Sequence, residues 1–172
     1  MNECPEKYMK KIVISVLLLG IVAGILWFWL GNTDDKKIRK QFARLAENVT
    51  KEPKEGNISM VCKMQGLGTL FANSCDIDIP KSHFSGTYSP EEIVSNTTRG
   101  RIRFSSLKLE FYDIKINITG ENTASVVFTG RLSGIVNNDK SDDEIRELDA
   151  AMEKVVGKWL FSSFKVVEVL EK

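Results

Sequence analysis

Histidine and cysteine are scarce in this chain of 172 residues. It has one histidine, His83, and three cysteines, Cys4, Cys62 and Cys75. A structural or catalytic zinc site draws most of its ligands from these two residue types. A single histidine excludes a Cys₂His₂ or His₃ site within one chain. No sequence motif supports a carboxylate-rich metal site either, so we expect neither a metal ion nor a cofactor.

An excess of charge of one sign is also missing. The chain has 24 Lys and Arg residues against 23 Asp and Glu residues, for a formal net charge of +1. Proteins that bind nucleic acid usually have a basic surplus, because they neutralise phosphates. We therefore expect no nucleic acid among the partners.

A long apolar run is present near the N-terminus, from Ile12 to Leu30, and it contains no charged residue. As a helix it spans roughly 28 Å, close to the thickness of the bilayer hydrocarbon core. Lysines precede the run, and Trp27 and Trp29 lie at its end, as expected at the two membrane interfaces. Because no A-x-A-like cleavage site follows, the run predicts a retained signal anchor rather than a cleaved signal peptide.

This anchor divides the chain into a short cytoplasmic tail (residues 1–11), a transmembrane helix (12–30) and one soluble domain (33–172). Lysines precede the run, and lysines and an arginine follow it, so the positive-inside rule does not decide the orientation. A short tail before a single anchor usually stays inside. We interpret the N-glycosylation sequons, such as Asn117-Ile118-Thr119, as chance matches in a bacterial sequence. The predicted location is the bacterial inner membrane, with the soluble domain in the periplasm.

The soluble domain begins with a predicted amphipathic helix that ends before Pro53 and Gly56. Its apolar residues recur at spacings of four, three and four on one face: Ile38, Phe42, Leu45 and Val49. A second, shorter helix is predicted from Asn57 to Asn73, although Gly66 and Gly68 weaken it.

A short strand is predicted from Cys75 to Ile79, followed by a third helix. Ser89 is the expected N-cap of that helix, Pro90 occupies its first position, and Glu92 completes a capping box. We expect the helix to fray near Gly100.

From Ser106 the apolar residues alternate, which indicates strands. The alternation slips by one residue between Phe111 and Ile114, so we predict a β-bulge near Tyr112-Asp113 that bends the sheet. A turn at Thr119-Gly120-Glu121-Asn122 leads into a partner strand from Thr123 to Val136.

The segment from Asp142 to Val156 fits two periods. Ile145, Leu148, Met152 and Val155 follow a helical spacing, whereas Leu148, Ala150 and Met152 alternate as in a strand. Taken alone, the residues slightly favour a helix. A turn at Gly157-Lys158 then leads into a strand from Trp159 to Leu170.

Three stretches resemble the nuclear transport factor 2-like superfamily, also called the cystatin-like cone. The stretch Gly68-Thr69-Leu70-Phe71-Ala72, continued by Cys75-Asp76-Ile77-Asp78, resembles that family's second helix and first strand. The stretch from Phe84 to Ile93 resembles its third-helix entry. Gly157-Lys158-Trp159-Leu160-Phe161 resembles its last hairpin. The order and spacing of these pieces, from about Asp34 to Lys172, carry the resemblance.

The resemblance implies an α+β fold in which three N-terminal helices pack on a strongly bent, mainly antiparallel sheet. It also implies that Glu144 to Val155 is a strand, against the local helical signal. The sheet and helices of such a fold form a cone with an apolar mouth, the natural site for a ligand or partner. Many members form homodimers through the outer face of the sheet, so a homodimer is expected here too.

Enzymes of this fold typically use an Asp or an Asp–His pair, with a Tyr or an acid as oxyanion donor. The weak candidates for such roles are His83, Asp78, Asp113 and Tyr88, together with Asp76 and Tyr112. No spacing brings them together, and an exposed loop histidine is the preferred interpretation of His83. We therefore assign no catalytic residue.

Two further features have structural explanations beside functional ones. Cys62 and Cys75 flank the end of the second predicted helix and are a possible disulfide pair in an oxidising compartment; two buried thiols are the favoured alternative. Arg99, Arg101 and Arg103 form a basic stretch that could meet lipid headgroups or an acidic partner, although a solvated face is the favoured interpretation.

The anchor and the lack of an acid–base set favour a membrane-anchored, non-enzymatic binding or assembly module with a protein partner. Two alternatives remain. A pocket enzyme of isomerase or cyclase type would place His83, Asp76, Asp78 or Asp113 in a closed cavity. A carrier of a small apolar ligand would have a deep pocket without titratable groups in its lining.

Overall fold

The computed structural model describes residues 34–79, 85–136 and 141–169. The described residues after Lys36 belong to one compact unit. Three helices occur in this part of the chain: α1 (34–49), α2 (Asn57–Gly68) and α3 (Pro90–Ile102). Six strands accompany them: β1 (Phe71–Asp78), β2 (Ser85–Tyr88), β3 (Phe104–Ile118), β4 (Thr123–Val136), β5 (Ser141–Val155) and β6 (Lys158–Val169).

The six strands form one curved sheet in the order β2-β1-β6-β5-β4-β3. All neighbours are antiparallel except β1 and β6, which are parallel. The architecture is the α+β arrangement of three helices on a bent sheet that the resemblance implied. The segment from Glu144 to Val155 is a strand, so tertiary context overrides its helical spacing as expected.

Helix α1 packs its apolar face onto the concave side of the sheet. Ile38, Phe42 and Leu45 are buried, as their spacing predicted. The Phe42 ring lies edge-on to Phe128 at 4.8 Å and to Phe161 at 5.0 Å between centroids. This edge-to-face geometry is favourable beyond the area that the rings bury. The core of the cone is therefore an aromatic cluster between α1, β4 and β6.

The predicted bulge is present where the apolar alternation slips. The β3–β4 register shifts between Tyr112 and Lys115, and Asp113 has a φ of 52°, in the left-handed region. After the bulge, Ile116 pairs with the buried Val126, so the apolar residues of β3 face the core again. The slip in the sequence therefore marks the position at which the strand bends.

The second predicted helix was too long and the strand after it too short. Helix α2 ends at Gly68, and β1 begins at Phe71, where a helix through Asn73 was expected. Phe71 pairs with Phe161 of β6, and the Phe161 N–H donates to the Leu70 carbonyl at 2.9 Å. Apolar residues suit either element at this point. Pairing with the last strand, which is distant in sequence, decides between them.

Helix α3 begins as predicted. The Glu92 N–H donates to the Ser89 hydroxyl, and the Ser89 N–H donates to the Glu92 carboxylate at 2.8 Å, which completes the capping box. These hydrogen bonds from Ser89 hold the pKa of Glu92 below its usual value. The helix ends at Ile102, two residues beyond Gly100, near which its end was expected. Arg101, one of these two additional residues, lies on the same side of the helix as Ile93, and both are buried.

Candidate active site

Two neighbouring cavities lie between the helices and the concave face of the sheet. The first compartment has a volume of about 370 Å³ and is lined by α1, α3 and the strands β1 to β4. The second compartment has a volume of about 300 Å³ and lies against β3 to β6. Val49, Ile79 and Leu132 line both, so the two share a wall. Most of the remaining lining is aliphatic or aromatic, which is typical of a small-molecule site.

The second compartment has two charged residues in its wall, Glu144 and Arg146. The β4–β5 register explains their direction. Arg146 pairs with Gly130 and Glu144 with Leu132, in continuation of the inward-facing pair Phe128–Leu148. Because side chains alternate along a strand, both residues face the concave side of the sheet. On this face of β5 the side chains are apolar from Met152 to Leu148 and charged at Arg146 and Glu144.

Arg146 and Glu144 are paired with each other. The Arg146 Nε–H donates to Glu144 Oε1 at 2.7 Å, and Nη2 contacts the same oxygen. The Arg146 side chain is 22% exposed, whereas that of Glu144 is 48% exposed. Within the described residues, Arg146 Nη1 is buried and has no hydrogen-bond partner. The pair therefore offers a carboxylate and an unused guanidinium N–H group beside an apolar cavity.

The first compartment contains a different set of polar groups. Tyr88, from β2, is half-buried in its wall, and Asn96, Thr97 and Arg101 line it from α3. Thr97 and Arg101 are four residues apart, so they lie on one face of the helix. That face is the one that also buries Ile93.

Arg101 belongs to a buried ionic cluster behind this wall. Its Nη2 lies 2.7 Å from Glu55 Oε2 and also donates to the Thr50 carbonyl at 3.0 Å. Lys63 Nζ lies 2.7 Å from the other Glu55 oxygen. Burial raises the pKa of Glu55, but the hydrogen bond from Lys63 and the charge of Arg101 outweigh it and hold that pKa below its usual value. The expectation of a solvated arginine face is therefore wrong for Arg101.

The carboxylates that the sequence put forward lie outside both compartments. Asp76, Asp78 and Asp113 are exposed, and the Thr87 hydroxyl donates to Asp76 at 2.6 Å on the outside of β1. Tyr112 is also exposed. Of the candidates within the described residues, Tyr88 alone lines a cavity. His83 lies outside the described residues.

The sequence analysis missed Glu144 and Arg146 as site residues, and it placed Arg101 in a solvated basic stretch rather than in a cavity wall. A signal for the first two existed. Every second residue of a strand faces the same side of the sheet. If Leu148 faces the core, Arg146 and Glu144 therefore face the core side as well. Arg101 had no comparable signal, because its burial depends on the long-range contact with Glu55.

The cysteines do not form the disulfide that was considered. Cys75 is fully buried in the core, whereas Cys62 is exposed on α2, and both are free thiols. The favoured alternative of two buried thiols is wrong for Cys62. Among the described residues, no group of three or more His, Cys, Asp or Glu side chains is arranged to hold a metal ion.

The predicted transmembrane segment, residues 12–30, lies outside the described residues. In the described ranges, 34–79, 85–136 and 141–169, no helix has the length and apolar character needed to cross a bilayer.

Comparison with known proteins relates this chain to others by fold. No protein-family model and no curated protein sequence matches it. Kfla4162 from Kribbella flavida superposes with a TM-score of 0.67 at 13% identity, over 79% of this chain and 90% of that one. The hexachlorocyclohexane dehydrochlorinase LinA-type3 from Novosphingobium barchaimii superposes with a TM-score of 0.63 at 12% identity, over 80% and 89%.

A third similar structure is that of a protein from Novosphingobium aromaticivorans that is named as a scytalone dehydratase on a provisional basis. It superposes with a TM-score of 0.64 at 14% identity, over 82% of this chain and 87% of that one. Because structures of this fold include proteins named as enzymes, the prediction of a non-enzymatic binding or assembly module is contradicted, and we do not retain it. At these identities the comparisons show that the chain shares its α+β fold with these structures, and they show nothing about its activity.

Proposed function

We propose that the chain is an enzyme that moves a proton on a small, largely apolar molecule bound in the cone. Glu144 is the general base, and Arg146 stabilises the negative charge that the reaction creates. One observation supports this proposal above all. The pair stands on the concave face of β5 in the wall of an apolar cavity, and Arg146 Nη1 has no hydrogen-bond partner within the described residues.

The chemistry follows from the two groups. A carboxylate can accept a proton from a carbon next to a carbonyl or another electron-withdrawing group. The electron pair of the C–H bond then develops as negative charge on the neighbouring oxygen. A guanidinium N–H placed beside that oxygen lowers the barrier, because its dipole and charge are already oriented. The Arg146 side chain is only 22% exposed, and its apolar surroundings strengthen this interaction.

The fate of the proton defines the reaction class. If it returns to a different carbon, the product is an isomer. If the charge expels a leaving group from the adjacent carbon, the reaction is an elimination. One similar structure is named a dehydrochlorinase, and loss of HCl from adjacent carbons is an elimination. This parallel rests on a shared fold, which does not by itself define an activity.

Deuterium exchange at carbon tests the proposal for either reaction class, because both begin with loss of the same proton. The full chain is incubated in D₂O with a panel of small aryl ketones and α,β-unsaturated acids, and deuterium uptake is followed by mass spectrometry. We expect Glu144→Gln to reduce the rate by about 10² or more, the scale of general-base catalysis. Glu147→Gln is the matched control, because Glu147 lies on the opposite face of the same strand. Equal rates for the two variants would refute the role of Glu144.

A carrier of a small apolar ligand is the second candidate. It is favoured by the positions of Asp76, Asp78 and Asp113, which leave the cavities lined mostly by apolar side chains. Panel members that bind to the chain but exchange no faster than in buffer would support the carrier and exclude the enzyme.

We also propose that residues 12–30 anchor this domain in a bacterial inner membrane, with residues 1–11 in the cytoplasm and the domain in the periplasm. The uncharged run and its flanking Lys and Trp residues support this. Protease added to intact spheroplasts should degrade the domain but not a tag at the N-terminus. If the domain is protected from the protease, the orientation is the opposite one, with the domain in the cytoplasm. The homodimer and a protein partner remain predictions.

A further inference from the structure

Arg101 is a buried cation with unused hydrogen-bond donors in the wall of a cavity. Its side chain is 2% exposed, and Arg101 lines the first compartment. A guanidinium has five N–H donors. Nη2 is occupied by Glu55 and the Thr50 carbonyl, whereas Nε and Nη1 have no partner among the described residues. A buried donor without a partner is unfavourable, so an acceptor that reaches these atoms from the compartment is favoured.

The charge around Arg101 favours an acceptor that is an anion. The cluster formed by Thr50, Lys51, Glu55, Lys63 and Arg101 contains three cationic side chains and one carboxylate. Lys51 Nζ donates to the Arg101 and Phe104 carbonyls, at 3.2 and 2.5 Å. Its charge is therefore not neutralised within the cluster. Among the described residues, no acidic side chain lines the first compartment.

The remainder of the first compartment is suited to an apolar body. Ile77, Ile93, Phe104 and Leu107 line it, and it shares a wall with the second compartment, where Glu144 and Arg146 lie. A molecule with its anionic group at Arg101 can therefore place an apolar chain or ring against the wall that the two compartments share. Arg101, Asn96 and Thr97 supply one positive charge and a few polar contacts, which match a carboxylate better than a phosphate dianion.

We propose that Arg101 binds the carboxylate of a small apolar acid in the first compartment. Apolar carboxylic acids are then the substrate class. This inference rests on the proposed function, in which a small molecule binds in the cone. Arg101 then anchors the substrate at a distance from the reacting carbon. Binding energy at such a remote group positions the reacting atoms.

The probes for this proposal are 4-phenylbutanoate and its neutral analogue 4-phenylbutan-1-ol. Their affinities for the full chain in phosphatidylcholine nanodiscs are measured by calorimetry, with empty nanodiscs subtracted. We expect the carboxylate to bind at least tenfold more tightly than the alcohol. Arg101→Met should bring this ratio close to one and leave the affinity for the alcohol within threefold. Arg103→Met is the matched control, because Arg103 is exposed two residues further on, and it should keep the ratio.

A measurement on the unaltered chain guards against a variant that fails to fold. As the pH falls below the pKa of the probe itself, the preference for the carboxylate should decline with the fraction of probe that stays ionised, while binding of the alcohol stays constant. A preference that survives in Arg101→Met, or that Arg146→Met removes instead, overturns the proposal. If neither probe binds, both the proposed anion site and the proposal that a small molecule binds in the cone are overturned. A preference that persists while Glu144→Gln exchanges deuterium at the normal rate overturns only the proposed enzyme.

Discussion

Arg101 and Glu55 form an ion pair that is almost completely withdrawn from solvent. The two side chains are 2% and 4% exposed, and Nη2 lies 2.7 Å from Oε2. Arg101 comes from the last turn of α3 and Glu55 from the loop between α1 and α2, while Lys63 joins them from α2. The contact therefore ties the three helices together beside the first compartment.

Removal of Glu55 alone should be strongly destabilising. Glu55→Ala leaves the buried Arg101 guanidinium without its counter-charge, and an uncompensated buried charge costs about 3–5 kcal/mol. The free energy of unfolding from urea titration measures this. Glu52→Ala, at an exposed position in the same loop, is the control and should stay within about 0.5 kcal/mol of the parent.

The double variant Glu55→Leu/Arg101→Met should recover most of the loss, because apolar pairs of similar volume often replace buried ion pairs without penalty. A double variant as unstable as the sum of the two single ones would contradict the pairing.

The same pair makes stability depend on pH. The usual pKa of a glutamate is 4.5, and that of Glu55 is lower in the folded chain, since Lys63 and Arg101 outweigh the opposing effect of burial. The contribution of Glu55 is therefore present above about pH 4.5 and is lost as the pH falls through its lowered folded pKa. Urea midpoints between pH 7 and pH 3 should fall less steeply for Glu55→Gln than for the parent. Parallel curves would show that Glu55 is not held by its neighbours.

Much of the fold follows from local patterns in the sequence. The spacing of Ile38, Phe42 and Leu45 predicts the buried face of α1, and the slip after Phe111 predicts the bulge. In each case the spacing of the apolar residues is compatible with one local structure only. The end of α2 does not follow in this way, because Leu70 and Phe71 are placed by a strand about ninety residues later in the chain.

The residue types that acid–base chemistry needs did not by themselves predict the candidate site. Asp76, Asp78 and Asp113 belong to the residue types that acid–base chemistry needs, but their positions on β1 and at the bulge turn them outward. Glu144 and Arg146 face inward because β5 pairs with β4 in one particular register. A one-residue slip would reverse both faces, so the identity of the inward residues depends on the register.

The two described cysteines should differ sharply in reactivity. Burial raises the pKa of the Cys75 thiol to about 12, with a smaller contribution from the charge of Asp76. Little thiolate is then available near neutral pH, and the sulfur is also inaccessible. Cys62 is exposed on α2. Iodoacetamide at pH 8 should label Cys62 at least 10³-fold faster than Cys75, as quantified by peptide mass spectrometry, with Cys75 labelled only in urea. Equal labelling in the native chain would contradict the buried position of Cys75.

The turn between β5 and β6 contains a side chain that its backbone disfavours. Val156 has a φ of 48° and Gly157 a φ of 77°, so both lie in the left-handed region expected of a two-residue hairpin turn. A β-branched residue is poorly tolerated there, at a cost of about 1–2 kcal/mol, whereas asparagine is well suited. Val156 is 97% exposed, so its replacement removes no packing.

Val156→Asn should therefore stabilise the chain by about 1 kcal/mol, through relief of this backbone strain. The urea midpoint should rise while the slope of the transition stays the same. Gly157→Ala is the opposing control and should lower the midpoint, since it introduces a Cβ at a positive φ. A lower midpoint for Val156→Asn would mean that this exposed valine packs against something beyond the described residues, such as a second copy of the chain or a membrane surface.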